Sequence, residues 1–408
     1  MPRVRPFKGI RPVRDKVHLV VSRSYITYEP RDLVQKLDSN PYSFIHIINP
    51  DHGRLDKAPA NSDELFRRIK NRYQDFVKDE VFQKEESPAF YLYEQAKPEG
   101  TFLGLICGTS VLDYEQGQIK KHEQTISARE AIFANYLSIC DINAEPVLLT
   151  YDDNEEVDNI QRAYLSKEPA YDFTTTDRTT HRLWVITEEK DIAVLTAAFA
   201  QGGALYIADG HHRSASSAAL AARKRQAGSQ EENADQFFMS YLVPKSQMRI
   251  LEFNRLVKDL NGLDKATLLE RLQAHFLIEQ CDRNRARPQA KGEMAMYIDG
   301  QWYGMHLKEK REDTLESVLC TELILEPVLG ISDLRTDRRI GFIGGQDGLE
   351  GVERQVNNGK YALGIVLFPV KVSELMGVAD RGEVMPPKST WVEPKLRSGL
   401  VIYSLEES

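Results

Sequence analysis

Asp209, Gly210, His211, His212 and Arg213 stand side by side in this 408-residue chain, and together they could do chemistry on an anion. They follow the apolar run 204–207, which reads as a buried strand, and precede the alanine-rich stretch 214–223, which reads as a helix. A glycine in a tight strand-to-helix turn aims the free N–H groups of the first helical turn at whatever binds there. Two imidazoles and a guanidinium added to that spot make an anion cradle. A capped helix with solvated His and Arg side chains is the structural alternative. The density of chemistry at one junction favours the anion site.

Two further segments carry groups of the same kind. His122 and Glu123 follow Lys120 and Lys121 just before an expected helix. A carboxylate beside a histidine and lysines suits a general base near a polyanion. A solvated helix start, with Glu123 complementing the helix dipole, explains the same residues, and the residues alone favour that plainer reading. In 385–399, Pro386 and Pro387 brace a loop that presents Lys388, Ser389 and Thr390, followed by Lys395 and Arg397. Prolines lower the entropy cost of holding such groups for a ligand. A surface loop anchored by Trp391 would contain them equally well. The basic turn 335–339 and the glycines of 344–348 do not form a Walker A loop, because no Gly-Lys-Ser/Thr follows.

Other catalytic signatures are missing. The sequence has no GxGxxG after a strand, no GxSxG elbow, no HExxH and no kinase glycine-rich loop with its lysine. The nine histidines show no metal-ligand spacing, since adjacent His211 and His212 point different ways, so no protein-held metal is expected. Cys107, Cys140, Cys281 and Cys320 lie far apart, which indicates neither a zinc site nor a disulfide framework.

The elements that must position these groups follow from patterning. A helix is expected over 61–79, with Asn61 and Glu64 at capping-box spacing, and a hairpin from 90–93 and 102–106 turning at 97–100. A helix at 127–140 and a strand at 146–149 come next, then a solvated acidic stretch at 152–158. Strands at 181–186 and 204–207 flank a helix at 191–200 as a strand–helix–strand unit. Strands are also expected at 237–243, 340–343 and 361–368, a type I′ turn at Asp299-Gly300, and a helix-ending turn at 380–383. The class is α/β or α+β, with a mixed sheet, flanking helices and a smaller α+β subdomain. Three regions are expected: an N-terminal α+β region at 1–115, an α/β core at 116–260 and a C-terminal α+β region at 261–408. With 53 basic and 61 acidic residues the net charge is −8, which argues against a nucleic-acid partner. No apolar leader and no apolar run near eighteen residues is seen, so a cytoplasmic protein without a membrane partner is expected.

Several segments resemble, in the same order, those of a large bacterial and archaeal family of unknown function. They are 40–50, Lys-Lys-His-Glu-Gln-Thr at 120–125, His-Arg-Leu-Trp at 181–184, Ala-Asp-Gly-His-His-Arg at 208–213 and Met-Pro-Pro-Lys-Ser-Thr-Trp-Val-Glu-Pro-Lys at 385–395. The resemblance spans nearly the whole chain but implies no activity. Many members carry a Pro-Tyr-Asp turn where this chain reads Ser24-Tyr25-Ile26, so no role for an acid there is carried over.

The Asp-Gly-His-His-Arg segment is also similar to one in the free serine kinases of the ParB/sulfiredoxin-like superfamily. Those enzymes carry it at a helix start and bind nucleotide phosphates with it. The similarity implies phosphate binding by Gly210, His211, His212 and Arg213, and catalysis by Asp209 and His211. Those kinases also use an upstream glutamate as base, and Glu123 is the candidate by its chemistry.

The function so implied is a phosphotransferase for a small molecule such as L-serine, using ATP or ADP with Mg²⁺. Lys388, Lys395 and Arg397 would close over the phosphates, and His122, Ser389 and Thr390 are further candidates. A non-catalytic, ParB-like nucleotide-binding regulator and a phosphoester hydrolase need the same cradle and remain alternatives. Oligomeric state is left open.

Overall fold

A computed structural model describes residues 1–24, 28–309 and 311–406. Tyr25 and Ile26 of the divergent N-terminal turn lie outside the described residues. The chain forms two compact units, Met1–Met248 with Pro394–Ser408, and Arg249–Glu393. This departs from the three consecutive regions expected, because strands from 1–115 and from 116–260 interleave in one sheet and share one core.

The first unit is built on nine strands: β1 (Val4–Arg5), β2 (Phe90–Lys97), β3 (Gly100–Ser110), β4 (Ile119–Lys120), β5 (Val147–Tyr151), β6 (Tyr171–Thr174), β7 (Thr180–Ile186), β8 (Leu205–Asp209) and β9 (Phe237–Pro244). Their order is β4-β8-β5-β9-β3-β2-β7-β6, with β1 also paired to β3. The β4–β8 and β5–β9 pairs are parallel and the rest antiparallel, so the sheet is mixed, as expected. β2 and β3 form the hairpin that the alternation at 90–106 predicts.

Its helices of eleven residues or more are α1 (Asp63–Lys78), α2 (Ser127–Cys140), α3 (Glu155–Leu165), α4 (Glu189–Gln201) and α5 (His211–Gln226). The cap of α1 is Ser62, whose hydroxyl accepts from Leu65 N, while Asn61 takes a left-handed φ of 59° one residue earlier. The acidic stretch at 152–158 is not merely solvated chain. Asn154 caps α3 by accepting from two backbone N–H groups, and Glu155, Glu156 and Asp158 complement the dipole in its first turn. α3 and α4 bury Val157, Tyr164, Leu195 and Phe199 against Leu92, Leu105, Leu149 and Trp184 of the sheet. β7 and β8 flank α4 in sequence but are separated by other strands in the sheet.

The second unit carries a six-stranded antiparallel sheet of β10 (Phe253–Val257), β11 (Phe276–Cys281), β12 (Glu293–Ile298), β13 (Gln301–Leu307), β14 (Ile340–Gly344) and β15 (Leu363–Leu367). Its order is β11-β13-β12-β15-β10-β14. The β12–β13 hairpin turns at Asp299 and Gly300, with φ values of 48° and 75°, the two positive values that a type I′ turn requires. α6 (Lys265–Leu272) and α7 (Glu316–Cys320) pack on one face, and α8 (Gly348–Asn357) on the other. α9 (Val372–Asp380) ends at the expected turn. No helix among the described residues is long and apolar enough to cross a membrane.

Candidate anion site at the strand-to-helix turn

β8 ends at Asp209, α5 begins at His211, and Gly210 joins them at a φ of 102°. That backbone conformation suits glycine, and a Cβ there would also sit 3.2 Å from Arg213 Nε. By the geometry of any helix start, the first N–H groups of the sixteen-residue α5 lack intrahelical partners and face the turn. β4 runs parallel to β8, with Lys120 opposite Tyr206, so the residues after both strands emerge at the same end of the sheet. His122 and Glu123 therefore come to the 209–213 turn.

The distances bear this out. The His122 and His211 rings meet edge to face, with centroids 4.5 Å apart and planes at 86°. Glu123 Oε2 lies 3.6 Å from His211 Nδ1. Lys395, returning after the second unit, places Nζ 3.1 Å from Asp209 Oδ2. Arg213 donates through Nη1 to the Pro146 carbonyl and lies 3.6 Å from Glu145 Oε2. Glu145 and Pro146 immediately precede β5, the antiparallel neighbour of β8. Glu145 is a site residue that the sequence did not reveal, since only strand pairing brings it here.

Burial sets the charge state. His211 is 5 % exposed and its pKa falls well below 6.5, first from burial and then from His122 beside it. Burial likewise lowers His122 to about 4, although Asp209 and the Ile207 backbone pull the other way. His212 is lowered by burial and then by Arg129. For Asp209, burial alone would raise the pKa, but Lys395 and Arg213 outweigh it and hold the carboxyl below its ordinary value. At neutral pH the site therefore presents neutral imidazoles, an ionised Asp209 and two cations. His122 Nδ1, His211 Nε2 and His212 Nδ1 are buried with no hydrogen-bond partner. Orphaned polar atoms of this kind are costly unless something fills them.

This donor set fits a phosphate group: helix-start N–H groups, Arg213 and Lys395. Among the described residues, no group of three or more His, Cys, Asp or Glu side chains is placed to hold a metal ion.

Arg397, Lys388 and Ser389 are held by other partners. Arg397 is 5 % exposed at its side chain and pairs with Asp177 at 2.6 Å. Nearby, the fully buried His181 shares a 2.8 Å hydrogen bond with Tyr93 Oη, and its pKa falls to about 3 through burial and then through Arg397. Lys388, Ser389 and Thr390 belong to the second unit. There the Lys388 carbonyl accepts from Arg255, and Ser389 Oγ lies 2.9 Å from Ser317 Oγ and 2.7 Å from the Pro386 carbonyl.

Residues 4–325 match the family described as "Protein of unknown function (DUF1015)". The chain belongs to this family. The match contains the whole DUF1015 turn at 209–213 and stops short of the 385–395 segment. No curated protein matches the chain.

Among solved structures, similar ones include free serine kinase in complex with AMP, 16% identical, covering 73% of this chain and 91% of its own at a TM-score of 0.33. SbnI with a C-terminal truncation, from Staphylococcus aureus, is 13% identical and covers 71% and 82%, with a TM-score of 0.38. A conserved hypothetical protein from Pyrococcus furiosus is 16% identical and covers 74% and 95%, with a TM-score of 0.33.

Proposed function

We propose that the protein is a small-molecule phosphotransferase that takes ATP or ADP on the 209–213 turn and passes a phosphoryl group to a hydroxyl acceptor such as free L-serine. The observation that carries the reading is the convergence of Glu123 and Lys395 on that turn, at 3.6 Å from His211 and 3.1 Å from Asp209, from segments far away in sequence. The N–H groups at the start of α5 and the Arg213 guanidinium hold phosphate oxygens, and Lys395 neutralises their charge. Asp209 would hold a Mg²⁺ bound to the nucleotide, and that ion would supply further charge neutralisation.

Glu123 takes the proton of the acceptor hydroxyl. Its side chain is about half exposed, 49%, so the acceptor can reach it. The hydroxyl oxygen then bonds to the terminal phosphorus as the bond to the leaving nucleoside phosphate breaks. Positioned cations and one base suffice for such a transfer. Neutral His122 and His211 wall the site without adding charge that would compete for the base.

Calorimetric titration with ATP, ADP and AMP, followed by phosphorus NMR of reactions containing serine and other small alcohols, tests the reading. A new phosphomonoester is the expected product. Inorganic phosphate alone would make the protein a hydrolase, and tight nucleotide binding without turnover would make it a regulator. Absence of nucleotide binding would remove all three.

A further inference from the structure

Arg255 is the largest of the fully buried side chains, at 0 % exposure in β10 of the second unit. Its Nη1 donates to the carbonyls of Phe253 and Lys388. Its Nε and Nη2 have no hydrogen-bond partner, and no carboxylate among the described residues pairs with it. Those two nitrogens form one edge of the guanidinium, the edge whose parallel N–H bonds grip a carboxylate or phosphate side-on. A water molecule could satisfy an N–H there, but it would leave a whole buried charge uncompensated, and proteins rarely tolerate that.

The surroundings enclose the group on several sides. Phe342, opposite Arg255 in the β10–β14 pairing, holds its ring centroid 5.2 Å from the guanidinium carbon. Cys320 of α7 lies close enough for its thiol to feel the charge. One turn earlier on α7, Ser317 meets Ser389 of the proline-braced strap. Lys388, in a left-handed conformation with φ 58°, turns its carbonyl to Arg255 and holds its ammonium 5.4 Å from the Phe253 ring centroid. The strap is thus tied to the sheet by Arg255 at the Lys388 backbone carbonyl and to α7 by the side-chain contact of Ser389 with Ser317.

We propose that the space beside Arg255, beneath the 386–389 strap, binds an oxyanion group, either a phosphate or a small-molecule carboxylate. The guanidinium edge takes two oxygens side-on, and the strap, tied at Lys388 to Arg255 and at Ser389 to Ser317, covers the ligand. The site is independent of the nucleotide turn and stands or falls apart from it.

Melting curves of the full chain against inorganic phosphate, and separately against acetate, test this. Arg213→Ala weakens binding at the other site, and in that background a rise in Tm with one of the two anions should persist. The anion giving the larger rise identifies the source. With Arg255→Met added to that background the rise should vanish, while nucleotide titration of the single variant Arg255→Met at the 209–213 turn stays as in wild type. An equal rise in the double variant, or none in Arg213→Ala, overturns the site. Should Arg255→Met fail to fold, hydrogen exchange of the Arg213→Ala protein decides. Phosphate or acetate should slow exchange at 388–390 and in α7, and unchanged exchange there overturns the proposal.

Discussion

Arg213 packs its guanidinium against Gly210 while holding the Pro146 carbonyl and facing Glu145, so it serves the fold as well as the ligand. Arg213→Ala should lower nucleotide affinity about ten- to hundredfold, the worth of charge-assisted hydrogen bonds. It should also lower stability by roughly 1 kcal/mol, because a partly buried carbonyl loses its donor. Calorimetric titration and denaturant melts read the two effects separately. Glu123 behaves differently, since its exposed carboxylate contributes little to stability. Glu123→Gln should leave nucleotide affinity and the melting curve unchanged while depressing turnover at least tenfold. A variant that turns over normally would remove Glu123 from the role of base.

The turn between β8 and α5 depends on one backbone angle. Gly210→Ala should cost about 1–2 kcal/mol, because an L side chain resists the left-handed region and its Cβ would crowd Arg213. Urea unfolding measures that loss, and a neutral result would mean that the turn relaxes without strain. This junction was legible in the sequence because its signals are local: an apolar run, a glycine, then alanines. The β2–β3 hairpin and the Asp299-Gly300 turn were legible for the same reason. The partners of the junction were less so. Glu123 was found by chemistry and Lys395 by the company it keeps, but Glu145 reaches the site only through the pairing of β5 with β8. Likewise Arg397 reads as a phosphate ligand until Asp177, far away in sequence, is seen to hold it. Arg255 gave no signal at all, since a lone arginine in an apolar strand looks like an edge residue until burial is known.

Titration ties these local environments to the stability of the whole chain. His122 and His181 have folded values of about 4 and 3 against an ordinary 6.5. Above pH 6.5 they are neutral in both states, and what they contribute is fully present. As pH falls from 6.5 through 4, the unfolded chain binds protons that the folded chain refuses, so stability declines. Asp177 adds a second window. Burial would raise its pKa, but Thr175 and Arg397 bring it down to about 2 from an ordinary 3.8, so its contribution is lost as pH drops from 3.8 through 2. Urea unfolding at pH 7, 5.5 and 4.5 should show a progressive loss, and His122→Gln should flatten it. A pH-independent midpoint across that range would contradict the buried, neutral histidines.

The pairing of Lys395 with Asp209 spans 186 positions, and everything between 249 and 393 folds as a separate unit. The 394–408 segment returns to the first unit, where Ser398 bridges Ser22 and Ile402 bridges Ile10. On a ribosome adding about 5–20 residues per second, Asp209 emerges roughly 10–40 s before its cation does. During synthesis the turn can form early, yet its carboxylate waits without Lys395 while a whole second body is made. A cell would thus hold nascent chains with the cradle built but its charge balance unfinished until synthesis has passed Lys395.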